Sequence, residues 1–306
     1  MVTGSSGYVG GAIARALSPY CRTIVAPVRA GARAPDLPNL QRHELVRDGL
    51  ADIPDLIARL QPDIVVHCAA YGVKPQDRDA ATMFAVNTRA TIDICLAATS
   101  FAKGMIIAGS SAEYDGRAPA PFSESTPLES RKIYGASKAA ATLACLAIAA
   151  RNAFPCIVLR LFGVYGPDEA PHRLVSSLIS RLREGNRVSL SPGDQLRDFI
   201  YIDDVASAFL AATAYVLNDA DDKVHLVDPI NICTGIPVSV KTLCSTMASK
   251  LNRSCDLLGF GDLDYRPDDV MAVYGMPDKA RELLGWTPAW TLDRALDEIL
   301  AGRGNA

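Results

Sequence analysis

A glycine-rich segment near the start of the chain constrains the fold more than any other feature of the sequence. Glycines at positions 4, 7 and 10 follow a short strand-like segment, residues 1–3, and precede a helical pattern of apolar residues over 12–17. Glycine lets the backbone approach a pyrophosphate closely, and free N–H groups at a helix N-terminus attract the anion. A glycine-rich loop alone is a weak signal, but its position between a strand and a helix is what dinucleotide binding requires. We therefore predict a dinucleotide-binding unit here, and the short strand leads us to expect further residues upstream of Met1.

The next strand carries the information on cofactor choice. Residues 23–29 have the pattern of the second strand of such a unit. Dinucleotide folds place an acid at its end to bind the ribose 2′-hydroxyl, or an arginine that accommodates a 2′-phosphate. No acid stands there, but Arg29 and Arg33 do, which favours NADP over NAD. Two arginines in a solvated loop would look the same, so NAD stays open.

Three later segments have the composition of strands that are buried on both faces. Residues 64–70, 104–109 and 156–163 are almost continuously apolar, and helical patterns separate them. Such runs are typical of a parallel sheet that is covered by helices. We predict an α/β fold with a doubly wound parallel (Rossmann) sheet and a smaller C-terminal cap.

Four residues with catalytic potential stand at two places in this pattern. Ser110 and Ser111 follow the second apolar run, and ligands bind at the carboxyl ends of parallel strands. Turn or cap chemistry would also explain these serines. Tyr134 and Lys138 are four residues apart at the start of a long apolar run, so on a helix they share one face. An ammonium favours the phenolate, so this pair could transfer a proton near neutral pH, although a surface pair would have the same spacing.

Composition narrows the class of protein. The 306 residues carry a net charge of −3, with no basic excess that would suggest nucleic acid as a partner. The longest apolar stretch, residues 136–150, contains Lys138 and is shorter than a membrane span, and no export leader is recognisable. The 8 cysteines form no C-x-x-C pair and the 4 histidines are far apart. We expect a soluble cytoplasmic protein with reduced cysteines, no metal site and no membrane partner.

Taken in order, these features resemble an extended short-chain dehydrogenase/reductase of the nucleotide-sugar epimerase, dehydratase and reductase family. The resemblance covers nearly the whole chain. The matching motifs are Gly4-x-x-Gly7-x-x-Gly10, His67-Cys68-Ala69-Ala70, Asn87, Ser110-Ser111, Tyr134-x-x-x-Lys138, Leu159-Arg160-Leu161-Phe162 with Tyr165-Gly166-Pro167, Arg197-Asp198-Phe199, and Leu283-Leu284-Gly285-Trp286-x-Pro288.

The resemblance implies a domain organisation and a cofactor site. The dinucleotide-binding domain would comprise residues 1–166 and 197–235, and the nucleotide-sugar-binding cap residues 167–196 and 236–306. Relatives often dimerise through the helices that hold Asn87 and Tyr134, so a homodimer is expected. The residues expected to contact NADP or NAD are Gly4, Ser6, Gly7, Tyr8, Val9, Gly10, Arg29, Asp48, Gly49, Ala69, Ala70, Asn87, Tyr134, Lys138 and Leu161.

The resemblance also implies catalytic and substrate-binding roles. Tyr134 would donate or accept the proton, Lys138 would bind the nicotinamide ribose and lower the pKa of the phenol, and Ser110 would hydrogen-bond the reacting oxygen. Counting back from Tyr114 favours Ser110 over Ser111 for that role. The diphosphate of the substrate would be held by two arginines, since a guanidinium can grip phosphate in a bidentate manner. The residues expected to contact substrate are Ser110, Ser111, Gly163, Arg197 and Arg266.

Departures from the family pattern bear on the reaction. Dehydratases have two acids after the hydroxyl residue, whereas Ala112 follows the serines here, so dehydration lacks its acid unless Glu113 moves in. Gly163 stands where many members have Asn, which implies a lost sugar contact or a larger pocket, and Asp115 replaces a usual glycine without an evident reason.

The motifs and the departures from the family pattern leave three functions to consider. We expect an oxidoreductase acting at C4 of a nucleotide-diphosphate sugar, reducing a 4-keto-6-deoxyhexose with NADPH. A 4-epimerase that retains NAD is the alternative, and Gly163 favours it by giving the sugar room to turn. A non-catalytic dinucleotide sensor is disfavoured by the intact set of Ser110, Tyr134 and Lys138.

Overall fold

A computed structural model describes residues 1–46, 50–218 and 227–302, so the expected cofactor residues Asp48 and Gly49 lie outside the described residues. The strands are β1 (Val2–Thr3), β2 (Ile24–Arg29), β3 (Leu40–Leu45), β4 (Ile64–His67), β5 (Gly104–Ser110), β6 (Cys156–Leu161), β7 (Gly163–Tyr165), β8 (Val188–Leu190), β9 (Leu196–Tyr201), β10 (Val227–Ile232), β11 (Pro237–Ser239), β12 (Leu258–Phe260) and β13 (Ala272–Val273). The helices are α1 (Tyr8–Leu17), α2 (Ile53–Leu60), α3 (Ala80–Met83), α4 (Thr91–Phe101), α5 (Ile133–Arg151), α6 (Leu174–Arg183), α7 (Ile202–Leu217), α8 (Val240–Lys250), α9 (Asp278–Leu284) and α10 (Leu292–Leu300). A π-helical segment, Phe84–Ala90, joins α3 to α4.

The central sheet has five parallel strands in the order β1-β4-β5-β6-β10. The parallel pair β2 and β3 continues it on the far side of β1, against which β2 packs. Strands that follow in the sequence are therefore added on both sides of the central pair β1 and β4. This arrangement confirms the predicted doubly wound fold, and in such folds the ligand-binding crevice lies where the strand order reverses.

Alternate side chains of the central strands enter two separate cores. Ile106 of β5 packs in a cluster with Ile13 of α1, whereas the next residue, Ile107, packs in a second cluster with Ile94 of α4. The side-chain period of two in a strand causes this division. Both faces are thus covered by helices, which explains why the strand sequences are apolar without alternation.

Two smaller sheets involve the C-terminal part of the chain. Strand β9 pairs with β7, with β11 in antiparallel fashion and with β13, while β8 pairs with β12. Although residues 197–235 were assigned to the dinucleotide-binding domain, only β10 of that segment joins the central sheet, and α7 packs on α1. The division into two domains at the predicted boundaries stays a prediction.

Helix α5 is longer than the apolar stretch recognised in the sequence. By length and composition alone it could cross a membrane, and 44% of its most apolar window is buried inside the structure. It packs on α4, β5 and β6, while Leu143 on its outer side is 58% exposed. Helix α5 therefore has one apolar face in the core and another apolar face on the surface.

Candidate active site

The glycine-rich loop turns sharply between β1 and α1, close to the end of β4. Gly4 has a φ of +71°, and a Cβ on it would lie 2.7 Å from the amide nitrogen of Ala69. A Cβ on Gly10 would lie 2.3 Å from the carbonyl oxygen of Gly4. Gly7 is the N-cap of α1 and makes no side-chain hydrogen bond, so no cap side chain competes for the first N–H groups of the helix. Close backbone packing and an uncapped helix N-terminus fit a pyrophosphate of a dinucleotide.

The other expected cofactor residues lie at the same edge of the sheet. Ser6 is exposed in the loop, and Tyr8 and Val9 form the first turn of α1. Arg29 is exposed at the end of β2. The remaining residues follow or end the neighbouring strands, namely Ala69 and Ala70 after β4 and Leu161 at the end of β6. Because the strands are parallel, these positions share the carboxyl edge of the sheet, although their contacts with a cofactor stay a prediction.

Asn87 has a different setting from the one expected. Its side chain is fully buried, accepts a hydrogen bond from the Tyr71 N–H (2.8 Å) and donates to the Tyr71 carbonyl oxygen (2.8 Å) and the Ser137 hydroxyl (3.0 Å). The amide is therefore engaged by protein groups on both of its polar atoms. In this structure Asn87 joins the segment after β4 to α5 and presents no surface to a cofactor. Its location in a π-helical segment accords with the frequent use of such segments near functional sites.

A buried histidine supports the same edge. His67, at the end of β4, is hydrogen-bonded through Nδ1 to the Thr3 hydroxyl (2.8 Å) and through Nε2 to the Thr91 hydroxyl (3.0 Å). Burial, with a smaller contribution from the charge of Lys138, lowers the pKa of His67 to about 3. His67 is therefore neutral near pH 7 and ties β1, β4 and α4 together.

The predicted catalytic residues come together where β5 meets α5. Ser110 is the last residue of β5, and its hydroxyl accepts a hydrogen bond from the Ala112 N–H (3.1 Å) and shares a hydrogen bond with the Tyr134 hydroxyl. Tyr134 and Lys138 lie four residues apart near the start of α5. Ser111 follows Ser110 in a short 3-10 turn and is half-buried.

The pKa of Tyr134 differs from the expectation. Burial, followed by the charge of Glu113, raises it to about 12, while the hydrogen bond from Ser110 and the charge of Arg173 oppose the rise. Burial also lowers the pKa of Lys138, with Glu113 opposing that change. The expected lowering of the phenol's pKa by Lys138 is not found here, because desolvation of the phenolate dominates. Tyr134 is thus a protonated phenol near pH 7, able to act as a proton donor.

Of the two arginines expected to hold a diphosphate, Arg197 is ion-paired with Asp269, whereas Arg266 lies three residues before that acid in the chain. Arg197 donates from Nη2 to Asp269 Oδ1 (3.0 Å) and from Nη1 to the Val270 carbonyl oxygen (2.7 Å). Arg266 is exposed, and its carbonyl oxygen accepts the N–H of Asp269 (2.9 Å). A phosphate bound by Arg197 would therefore compete with Asp269 for the guanidinium.

The structure bears on three departures from the family pattern. A Cβ on Gly163 would lie 2.6 Å from the carbonyl oxygen of Asp198, so backbone of β9 fills the space that a side chain would enter, and a role of Gly163 in a sugar pocket stays a prediction. Asp115 accepts hydrogen bonds from Arg117 Nε (2.8 Å) and Nη2 (2.7 Å), which accounts for an acid at that position. Glu113 is fully buried and ion-paired with Arg160 (3.0 Å), so it is not free to act as a dehydration acid.

Position and chemistry together define a class of protein: a dinucleotide-dependent enzyme with a Ser–Tyr–Lys arrangement beside the switch point of a Rossmann sheet. The chain belongs to the NAD dependent epimerase/dehydratase family, whose model matches residues 1–227.

Relatives along almost the full chain include nucleotide-sugar enzymes. GDP-6-deoxy-D-mannose reductase from Pseudomonas aeruginosa is 26% identical, over 98% of this chain and 95% of the relative. UDP-glucose 4-epimerase from Mycolicibacterium smegmatis is 25% identical, over 94% of this chain and 93% of the relative. Among solved structures, MoeE5 in complex with UDP-glucuronic acid and NAD is 29% identical with a TM-score of 0.81, covering 96% of this chain and 95% of that one. The protein is thus an enzyme of a family of NAD-dependent nucleotide-sugar epimerases, reductases and dehydratases.

Proposed function

We propose that the enzyme reduces the 4-keto group of a nucleotide-diphosphate 4-keto-6-deoxyhexose, with NADPH as the hydride donor. The observation that carries the proposal is the hydrogen bond between Ser110 and a Tyr134 phenol whose pKa is raised to about 12. Reduction of a ketone needs a proton donor at the oxygen, and a protonated phenol meets that need. The full-length similarity to a GDP-6-deoxy-D-mannose reductase supports the same reaction.

Each residue of the set has a separate task. NADPH, when bound, would supply the hydride that reduces C4 of the sugar. Tyr134 donates its proton to the C4 oxygen as negative charge develops there, and Ser110 hydrogen-bonds the same oxygen. Lys138 is 3% exposed and keeps an ammonium near the phenol, where it stabilises the phenolate left by proton transfer.

The preference for NADP rests on Arg29. This residue ends β2 and is exposed, in the position where an arginine can accommodate a 2′-phosphate. The expected acid is absent from β2, whose sequence is IVAPVR. The structural relatives in complex with NAD are the reason to test both cofactors.

The substrate diphosphate is assigned to Arg197 and Arg266, and Asp269 is the ion-pair partner of Arg197 in this structure. Replacing the Asp269 ion pair by a phosphate would retain a charged partner for Arg197, and a guanidinium binds phosphate in the same fork geometry. In this proposal residues 167–196 and 236–306 cover the nucleotide, and Ser111 contacts the sugar beside Ser110.

A homodimer with a four-helix interface built from α4 and α5 is the proposed assembly. Leu96 on α4 is 48% exposed, Leu143 and Ile133 on α5 are 58% and 47% exposed, and Phe84 is exposed on the adjoining π-helical segment. An apolar surface of this kind is typical of an interaction site. Leu143→Glu should shift the mass in light scattering from dimer to monomer, whereas Leu263→Glu, at a 54% exposed leucine in another region, should leave it unchanged.

The cytoplasm is the proposed compartment. All 8 cysteines are free thiols, and five of them, at positions 95, 145, 156, 233 and 244, are buried. Unpaired cysteines in this number are typical of proteins in a reducing compartment.

A 4-epimerase is the second candidate, because the similarity to a UDP-glucose 4-epimerase is almost as high as that to the reductase. An epimerase must first oxidise C4, and for that Tyr134 would have to accept a proton. The argument from a larger pocket at Gly163 is weakened, since β9 backbone fills the space that a side chain would enter there. A dehydratase is disfavoured by Ala112 and by the ion pair of Glu113 with Arg160.

A hydride-labelling experiment distinguishes the two candidates. Nucleotide sugars and 4-keto-6-deoxy nucleotide sugars would be incubated with 4-deuterated NADPH, and products analysed by mass spectrometry and NMR. Deuterium at C4 with one NADPH consumed per product is the result expected of the reductase. Inversion at C4 without deuterium, together with NAD retained through purification, would reject it in favour of the epimerase.

A further inference from the structure

A buried carboxylate lies directly behind the Ser110 and Tyr134 pair. Glu113 is 0% exposed and accepts three hydrogen bonds that connect three elements of the site. Its Oε1 accepts the backbone N–H of Ser110 (2.8 Å), and its Oε2 accepts the Thr142 hydroxyl (2.9 Å) and Arg160 Nε (3.0 Å). One side chain thus joins the end of β5, the middle of α5 and β6.

The contact with α5 is made on the helix face that carries the catalytic residues. Thr142 is four residues after Lys138 and eight after Tyr134, a spacing that places all three on one side of a helix. The hydrogen bond that the Thr142 hydroxyl donates to Glu113 therefore fixes the distance between this face of α5 and the end of β5. The same carboxylate fixes the backbone of Ser110, whose hydroxyl meets Tyr134.

The charge of Glu113 is compensated within the network. Arg160, 2% exposed, pairs with it and also donates to the Tyr114 hydroxyl (3.1 Å), which donates to Asn231 Oδ1 of β10 (2.6 Å). Removing one partner of such a buried pair leaves an uncompensated charge, so the network holds its geometry firmly.

We propose that Glu113 is a positioning residue of the reaction, which sets the Ser110 hydroxyl against Tyr134 and keeps a negative charge beside the pair. The role rests on the proposed oxidoreductase function, but it differs from that of a dehydration acid, because Glu113 is fully buried and does not meet substrate.

The negative charge of Glu113 changes the pKa values of Tyr134 and Lys138 in the same direction. Glu113 raises the pKa of Tyr134 and also that of Lys138, so it favours a protonated phenol next to a charged ammonium. Arg173 acts on Tyr134 in the opposite direction, and the thiols of Cys68 and Cys145 act on Lys138 in the same direction as Glu113. Neutralising Glu113 should lower both pKa values.

Thr142→Val tests the positioning role with little change in shape. It removes the hydroxyl that holds Glu113 to α5 and leaves the ion pair with Arg160. Misplacement of reacting groups by about 1 Å can cost on the order of 100-fold, so we expect kcat to fall by about 10- to 100-fold while KM for the cofactor stays unchanged. Thr142→Ser should restore kcat, and Thr213→Val, which removes another buried helix hydroxyl (Oγ1 to Phe209 oxygen, 2.8 Å), should leave kcat unchanged. A loss of melting temperature in Thr142→Val with wild-type kcat would reject the proposal.

Glu113→Gln removes the negative charge of Glu113. The double variant Glu113→Gln/Arg160→Met removes the same charge without leaving Arg160 unpaired. Tyrosine labelled with 13C at Cζ reports the ionisation of Tyr134 without substrate, and Tyr134→Phe identifies its signal. We expect the signal of Tyr134 to titrate at lower pH in the folded variant, and an unchanged titration would overturn the electrostatic role. If the wild-type enzyme reduced no nucleotide sugar, the proposed function would fail while this measurement still decided the role of Glu113.

Discussion

Asn87 and Ser137 join the π-helical segment to the helix that carries Tyr134. The Asn87 amide donates to the Ser137 hydroxyl (3.0 Å), which donates in turn to the carbonyl oxygen of Tyr134 (2.8 Å). The remaining bonds of Asn87 hold Tyr71, in the segment that follows β4. The position of the catalytic helix thus depends on residues that make no contact with reacting groups.

The first prediction compares Asn87→Ala with Ser137→Ala. The Asn87 variant leaves the part-buried N–H and carbonyl oxygen of Tyr71 without this partner, and an unsatisfied buried group costs about 1–3 kcal/mol. We expect Asn87→Ala to lower the free energy of unfolding by at least about 2 kcal/mol, and Ser137→Ala by about half as much. Urea unfolding measures both. Equal, small losses would mean that the bonds to Tyr71 contribute nothing.

The second prediction concerns the Ser110 and Tyr134 pair. Tyr134→Phe should lower kcat by about 100-fold or more, the usual effect of losing a general acid, with cofactor affinity retained. Ser110→Ala should lower kcat more than Ser111→Ala, since Ser110 is the serine hydrogen-bonded to Tyr134. Steady-state rates with fluorescence titration of the cofactor test this. A larger loss in Ser111→Ala would assign the role to the second serine.

The sequence predicted the sheet better than it predicted side-chain partners. Apolar runs and glycine spacing report on backbone packing, and the doubly wound sheet follows from them. The contact of Glu113 with Arg160, 47 residues apart, leaves no local pattern, so the sequence indicated Glu113 only as a possible dehydration acid and Arg160 only as part of a motif. The packing at Gly163 could not be predicted for a similar reason, because the neighbour that excludes a side chain there is the backbone of Asp198, on a different strand.

The third prediction follows from the pKa of Tyr134, raised by burial to about 12. Below that pH the phenol is protonated, so reduction of a 4-keto sugar should show no dependence on this group between about pH 6 and 10. The reverse oxidation needs the phenolate, whose fraction increases about tenfold per pH unit over that range. Initial rates in both directions test the sign. A reduction rate that fell across neutral pH in wild type but not in Tyr134→Phe would contradict the raised pKa.

The fourth prediction concerns Arg29 at the end of β2. A hydrogen bond to a charged group contributes about 1.5–3 kcal/mol, so Arg29→Ala should weaken NADP binding by that amount and NAD binding far less. Arg22→Ala, at another exposed arginine, provides the control. Isothermal titration with both cofactors gives the comparison. Equal losses for NADP and NAD, or a wild-type preference for NAD, would show that Arg29 does not read the 2′-phosphate.

The last prediction separates a structural role for Gly163 from a role in the sugar pocket. A Cβ at this position would lie 2.6 Å from the carbonyl oxygen of Asp198, whose carboxylate accepts the N–H groups of Thr234 and Gly235. Gly163→Ala must therefore push β7 away from β9, and overpacking of this kind costs about 1–3 kcal/mol. We expect a lower free energy of unfolding in urea, with the sugar stereochemistry of the product unchanged. Gly185→Ala is the control for stability, since no atom lies within 4 Å of the added Cβ and only its φ of +75° is unfavourable. If Gly163→Ala kept full stability but lost turnover of the sugar, the glycine would be lining the pocket, and the epimerase would regain its structural support.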